Sequence, residues 1–182
     1  MNGDSVPILD LEEYLASGVP QQRFLQEAEQ AVRNVGFLGY MNPIFLRRNV
    51  ITASLDRANA VFGLLPETKS QFVRENLGKQ RGITLDLGEI AAGFTIPDHK
   101  EFWHHGRQYG PNDPMHPDCG DNVLVGDLVP DFDTAVQTFY LACDAESNVV
   151  LDIFSDLMGL EKKFLRQWAA NGDDLLRILH YL

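Results

Sequence analysis

The chain is short of several things, and each shortage removes a class of function. Its 182 residues include two cysteines, Cys119 and Cys143, too few for a disulfide framework, so a cytoplasmic location is expected. Basic residues are scarce: 15 Lys and Arg stand against 26 Asp and Glu, a formal net charge of −11. A surface that acidic lacks the positive footprint that nucleic acid or an anionic membrane needs. No apolar run approaches the ~20 residues of a membrane-spanning helix. The opening MNGDSVPILDL has neither the basic start nor the long apolar stretch of a signal peptide. No Asn-x-Ser/Thr sequon, internal repeat or low-complexity tract occurs. The nucleophile elbow, the phosphate-binding loop and the dinucleotide glycine fingerprint are also absent. What remains is ordinary globular composition, 45% hydrophobic and 23% charged, which predicts a single domain over residues 1–182.

Periodicity places the elements. Val6–Leu11 reads as a strand, and apolar residues at 24, 28, 31, 32 and 35 follow helical spacing up to Gly36. Gly36–Met41 then reads as a buried strand. Ile51, Leu55, Ala58 and Phe62 repeat the helical pattern, and Pro66 suits the first turn of a short helix reaching Phe72. Gly78, Gly82, Gly88 and Gly93 suit loops and short strands, Lys100–His105 a further strand, and residues 106–130 a long loop. The strongest signal is one helical face running from Phe132 to Leu157, with Phe139, Ile153 and Phe154 expected in the core. A short helix at 161–170 and a buried strand at 175–182 complete the chain. The fold class is α+β, helix-rich with a few short strands.

Five histidines invite a metal hypothesis. His116-Pro117-Asp118 with His180 has the two-His, one-carboxylate composition that holds non-haem Fe(II). A flexible loop and a chain end, however, would give those ligands no rigid support. His99-Lys100-Glu101 is a chance-level H-x-E, and His104 and His105 on a strand must face opposite ways. His116 and Cys119 lack the second ligand pair of a persuasive zinc motif. Cys143 reads as a small core hydrophobe. On these grounds no catalytic residue and no metal ligand is assigned.

The order of segments adds a resemblance. Val6-Pro7-Ile8-Leu9-Asp10-Leu11, Gly36-Phe37-Leu38-Gly39-Tyr40, and Phe62 with Leu65-Pro66-Glu67-Thr68-Lys69 resemble the opening of the isopenicillin N synthase-like Fe(II)/2-oxoglutarate-dependent oxygenases. Arg81-Gly82, Lys100–Arg107, Asn122-Val123, Val129–Phe132 and Leu175–Tyr181 resemble later family blocks in register. Met41-Asn42-Pro43 departs from the family's Asn-His-Gly, Leu124-Val125 from its Trp-Pro, and Leu182 from its closing proline. The resemblance implies the N-terminal module of a double-stranded β-helix (jelly-roll) oxygenase whose C-terminal half, with the iron-binding H-x-D…H triad, is missing. It implies Fe(II) and 2-oxoglutarate as cofactors of the intact enzyme, a small organic substrate, and no cofactor for this chain alone. It also implies that Tyr181 hydrogen-bonds 2-oxoglutarate. The alternative is a stand-alone, non-catalytic binding or scaffold module. In either case exposed sheet edges are expected to promote self-association.

Overall fold

The computed structural model describes residues 5–77, 80–85, 90, 93, 95 and 99–182. Gly78 and Gly88, read above as loop punctuation, lie outside them. The elements are β1 (Ile8–Asp10), α1 (Leu11–Leu15), α2 (Gly18–Asn34), β2 (Gly39–Met41), α3 (Arg48–Phe62), α4 (Pro66–Lys69), β3 (Gly82–Thr84), β4 (Lys100–Gly106), α5 (His116–Cys119), α6 (Phe132–Leu157), α7 (Phe164–Ala169) and β5 (Leu175–Tyr181). They fall into two compact units, residues 1–47 with 143–172, and residues 48–142 with 173–182.

In the first unit β1 and β2 pair in parallel, Leu9 opposite Tyr40. Leu9, Leu11, Tyr14, Phe24, Ala28, Val149 and Ile153 form its core. The strand expected through Leu11 stops at Asp10, whose carboxylate accepts the Glu12 N–H (3.0 Å) and caps α1. The buried strand expected over 36–41 is also corrected. Only Gly39–Met41 pair, and Phe37 is 70% exposed. Gly36 sits at φ 81° as the stop after α2, and the three-residue ladder begins too late to carry Phe37 inward. On α6, Ile153 is buried as expected but Phe154 is only half-buried, because the helix turns its buried side through Glu146, Val149 and Ile153.

In the second unit β3, β4 and β5 form an antiparallel sheet in that order. Trp103 stands opposite both Ile83 and Ile178, and all three join Val61, Phe62, Phe132 and Val136 in one core. The Trp103 and Phe132 rings meet edge to face at 4.9 Å. The expected strand at the chain's end is present, but it is not buried. Ile178 alone is buried, while Arg177, Leu179 and Tyr181 are exposed, the period-two signature of a sheet with one covered face. Residues 106–130 are held by their own side chains, with Tyr109, Cys119, Val123, Val125 and Val129 buried. Asn122 brackets Gly106, accepting its N–H (2.9 Å) and donating to its carbonyl (2.8 Å).

Candidate functional site

The sheet of the second unit gathers most of the chain's histidines and buried charges. Arg81 is fully buried. It donates to the Gln80 carbonyl (2.9 Å) and to Asp173 (3.2 Å), and lies against Gly106, where any Cβ would overlap its guanidinium. Gly82 follows at φ 75°, pressed against the Phe72 carbonyl. The Arg-Gly pair therefore combines a buried cation with a turn that only glycine fits. Cys119 contacts Asp173 and Tyr109, and burial with the nearby carboxylate pushes its thiol pKa up.

A second node is centred on Glu101, 2% exposed. One carboxylate oxygen accepts from Lys69 Nζ (2.7 Å), which also donates to the Phe62 carbonyl (3.0 Å). The other lies 3.1 Å from His180 Nδ1; a carboxylate accepts, so that nitrogen carries the proton. The Phe62 ring stacks on His180 at 5.1 Å. His180 is thus firmly oriented, contrary to the expectation from its place near the chain's end. The cross-strand register, which sets Glu101 directly opposite His180, is the cause.

His104 and His105 do face opposite ways, and both are 4% exposed. His105 Nε2 lies 2.8 Å from the Gln137 amide oxygen. Its burial holds the imidazole below the ordinary pKa, although the Gln137 contact opposes the shift. His104 Nε2 accepts from Arg177 Nε (2.7 Å), and the Arg177 guanidinium lies 4.4 Å over the Phe102 ring. Tyr181 is 69% exposed on the same face of β5 as Arg177 and Leu179.

The structure does not assemble the local iron mimic. His116 and Asp118 sit on α5, a short helix where the sequence reading expects loop, and His116 Nε2 lies 3.3 Å from Asp121. His180 is committed to Glu101. Among the described residues no three His, Cys, Asp or Glu side chains come together as metal ligands, so the described donor set does not fit a ferrous centre.

The first unit carries a buried carboxylate that sequence reading misses. Glu146 is 1% exposed and accepts from the backbone N–H groups of Ile44 (3.3 Å), Phe45 (2.7 Å) and Leu46 (3.2 Å). Glu101 stands out in the sequence only as part of a chance-level H-x-E and of a motif block. The signal that could have found each is an acidic residue inside an otherwise apolar stripe: Glu146 between Cys143 and Val150, and Glu101 beside Phe102-Trp103.

Known proteins share this architecture. A family model described as non-haem dioxygenase in morphine synthesis N-terminal matches residues 6–126. No curated protein matches the chain. A 2OG-Fe(II) oxygenase family protein from Caulobacter crescentus is similar with a TM-score of 0.84 and 30% identity, over 97% of this chain and 56% of that one. A full-length Neurospora crassa protein in complex with alpha-KG gives 0.80 at 20% identity, over 99% and 55%. JOX2 in complex with 2OG, Fe and JA gives 0.70 at 16% identity, over 97% and 48%. The chain thus spans about half the length of these structures. With the family's sequence pattern over residues 6–126 and its arrangement of helices and short strands along nearly all of its length, the chain belongs to the non-haem Fe(II)/2-oxoglutarate-dependent oxygenase family, as its N-terminal region.

Proposed function

We propose that this chain is the N-terminal part, folding as one domain, of a cytoplasmic jelly-roll oxygenase that oxidises a small organic substrate. By itself it is non-catalytic and binds no iron. The observation that carries the reading is β5. Seven residues long, it pairs with β4 along one edge, has no second partner strand among the described residues, and turns Arg177, Leu179 and Tyr181 outward. Such a strand suits a sheet that continues into a catalytic half. In the whole enzyme, ferrous iron would supply the oxidation that couples 2-oxoglutarate decarboxylation to change in the substrate. This chain's part is to shape and support the site. α6 buttresses the jelly roll, and the Tyr181 hydroxyl donates a hydrogen bond to 2-oxoglutarate.

The test is direct. Residues 1–182 with anaerobic Fe(II) and 2-oxoglutarate should show no rise in melting temperature, where a ligand at a hundredfold excess over its Kd would add about 2.7 kcal/mol. On admission of oxygen they should form no succinate. A reading frame that continues past Leu182 into an H-x-D motif should yield a protein that does both. Succinate from residues 1–182 alone overturns the proposal, and a stop codon after Leu182 favours the stand-alone binding module. The uncovered β5 edge should also make the isolated chain self-associate; a clean monomer by light scattering at high concentration counts against an open edge.

A further inference from the structure

We infer that the first unit holds a binding site for a small α-amino acid, taken as its zwitterion, in the cavity between the α1–α2 turn and the last turns of α6. The cavity has a volume of about 200 Å³, below the ~300 Å³ at which pockets for drug-sized ligands begin. Its floor is α6, where Asp152 and Asp156 stand four residues apart, so that one helical face carries both carboxylates. Each has one oxygen committed. Asp156 Oδ2 accepts from the Tyr14 hydroxyl (2.9 Å); burial, helped by that carboxylate, pushes the Tyr14 pKa up, so the phenol stays a donor. Asp152 Oδ2 accepts from Arg166, which is itself tied to the Asn148 carbonyl (2.9 Å). Asp152 Oδ1 is buried and accepts no hydrogen bond from the described residues. A buried carboxylate oxygen without a donor is costly, and a ligand in the adjoining cavity can supply one.

The rim is cationic. Lys162 and Lys163 are exposed and line the same cavity, and neither forms an ion pair with the described residues. Ser17 and Lys163, both in the lining, hold φ of 62° and 65°, a left-handed conformation that few non-glycine residues adopt. Opposite charges on floor and rim select the ligand. A plain carboxylate would face two aspartates, and a plain amine two lysines. A zwitterion satisfies both, its ammonium on Asp152 and Asp156 and its carboxylate on the lysines. The ammonium must carry N–H groups, because Asp152 Oδ1 lacks a proton donor. The volume limits the ligand's side chain to a few atoms, and Leu15 offers it an apolar wall. No residue of β5 takes part, so the site stands whatever the fate of the proposed function.

Glycine, L-alanine and L-serine, titrated into the 182-residue chain and followed by NMR at the Ser17 and Lys163 backbone amides, test the site. At least one of them should shift both signals saturably. Propionate, ethylamine and the trimethylated glycine betaine should not, at equal concentration, pH and ionic strength. Changing the exposed rim, K162Q together with K163Q, should weaken binding about tenfold or more and leave the melting curve where it was. D152N, which removes the floor's charge but keeps an accepting oxygen, should weaken it as well. Because Arg166 loses its charged partner in D152N, the melting curve is recorded beside that titration, and the lysine variant decides if the fold is lost. Saturation by ethylamine or betaine would make this a simple cation site and overturn the inference, as would saturation by propionate. No saturable shift with any of the three amino acids, or unaltered binding in the lysine variant, overturns it too.

Discussion

Among the described residues the two units each bury one carboxylate almost completely, yet satisfy it by different chemistry. In the first unit Glu146 collects three consecutive backbone N–H groups from residues 44–46. That segment lies outside helix and strand, so its amides have no ladder to join, and a side chain from α6 replaces one. In the second unit Glu101 joins α4, β4 and β5 through one ammonium and one imidazole. The first solution shapes a loop with neutral donors; the second ties three elements together with charge. The lesson is that a buried charge here marks a place where local hydrogen bonding runs out, and the partner type reports whether backbone or side chains were left wanting.

Removing these partners should break the comparison at its strongest point. Glu146→Leu leaves up to three amides unsatisfied and should cost about 3–4 kcal/mol in urea unfolding, while Glu146→Gln, which keeps one accepting oxygen, should cost about half that. Glu101→Leu strands Lys69, whose side chain is 12% exposed, and should cost about 2–3 kcal/mol, with Lys69→Met in the same chain recovering much of the loss. Equal losses in the two Glu→Leu variants, together with no recovery, would erase the distinction between amide and ionic satisfaction.

Smaller effects sharpen it. Ile153→Ala should cost about 2–4 kcal/mol, but the half-buried Phe154 should cost only about 1–2 kcal/mol when cut to Ala, less than the sequence pattern alone suggests. A larger loss at 154 than at 153 would place the wrong side of α6 in the core. The smallest expected effect is one of pH. Burial lowers the His105 pKa from its ordinary 6.5, so between those two values the unfolded chain holds a proton that the folded chain does not. Its contribution is complete above the unfolded value and is lost as pH falls from there toward the folded one, with a slope of at most about 1.4 kcal/mol per pH unit. Stability measured from pH 7 to 5 should fall less steeply in His105→Phe; identical slopes would mean that His105 takes up its proton over the same pH range folded and unfolded.

Much of the architecture is legible in the sequence because its causes are local. α6 follows from an apolar face that persists through 26 residues, and α4 opens at Pro66, where proline's fixed φ suits the first turn. Strand β4 follows from a run of bulky residues between breakers. The sequence misleads where a local signal meets a competitor. Asp10 can extend β1 or cap α1, and the cap wins. Phe37 is apolar enough for a strand interior, but the β1–β2 ladder starts two residues later. At the candidate site, His180 and Tyr181 both stand out in the sequence, yet the sequence assigns no role at 180, where the fold makes a partner of Glu101. Arg177 is visible only as part of a motif block.

Sequence by itself determined most of the elements, their order, the family and the chain's acidity, because helical and strand periods, breakers and composition are properties of neighbouring residues. Tertiary structure decided what each polar side chain does. Whether Glu101 meets His180, and whether His104 receives a proton donor from Arg177, depends on a β4–β5 register that sets residues 101 and 180, and 104 and 177, directly opposite one another. A slip of one residue would send every one of these side chains to the other face of the sheet. Nothing in the long stretch of sequence between those partners encodes that choice locally. It is made by the requirement that Ile83, Trp103 and Ile178 share one buried face, and the charged residues between them take the partners that this packing leaves.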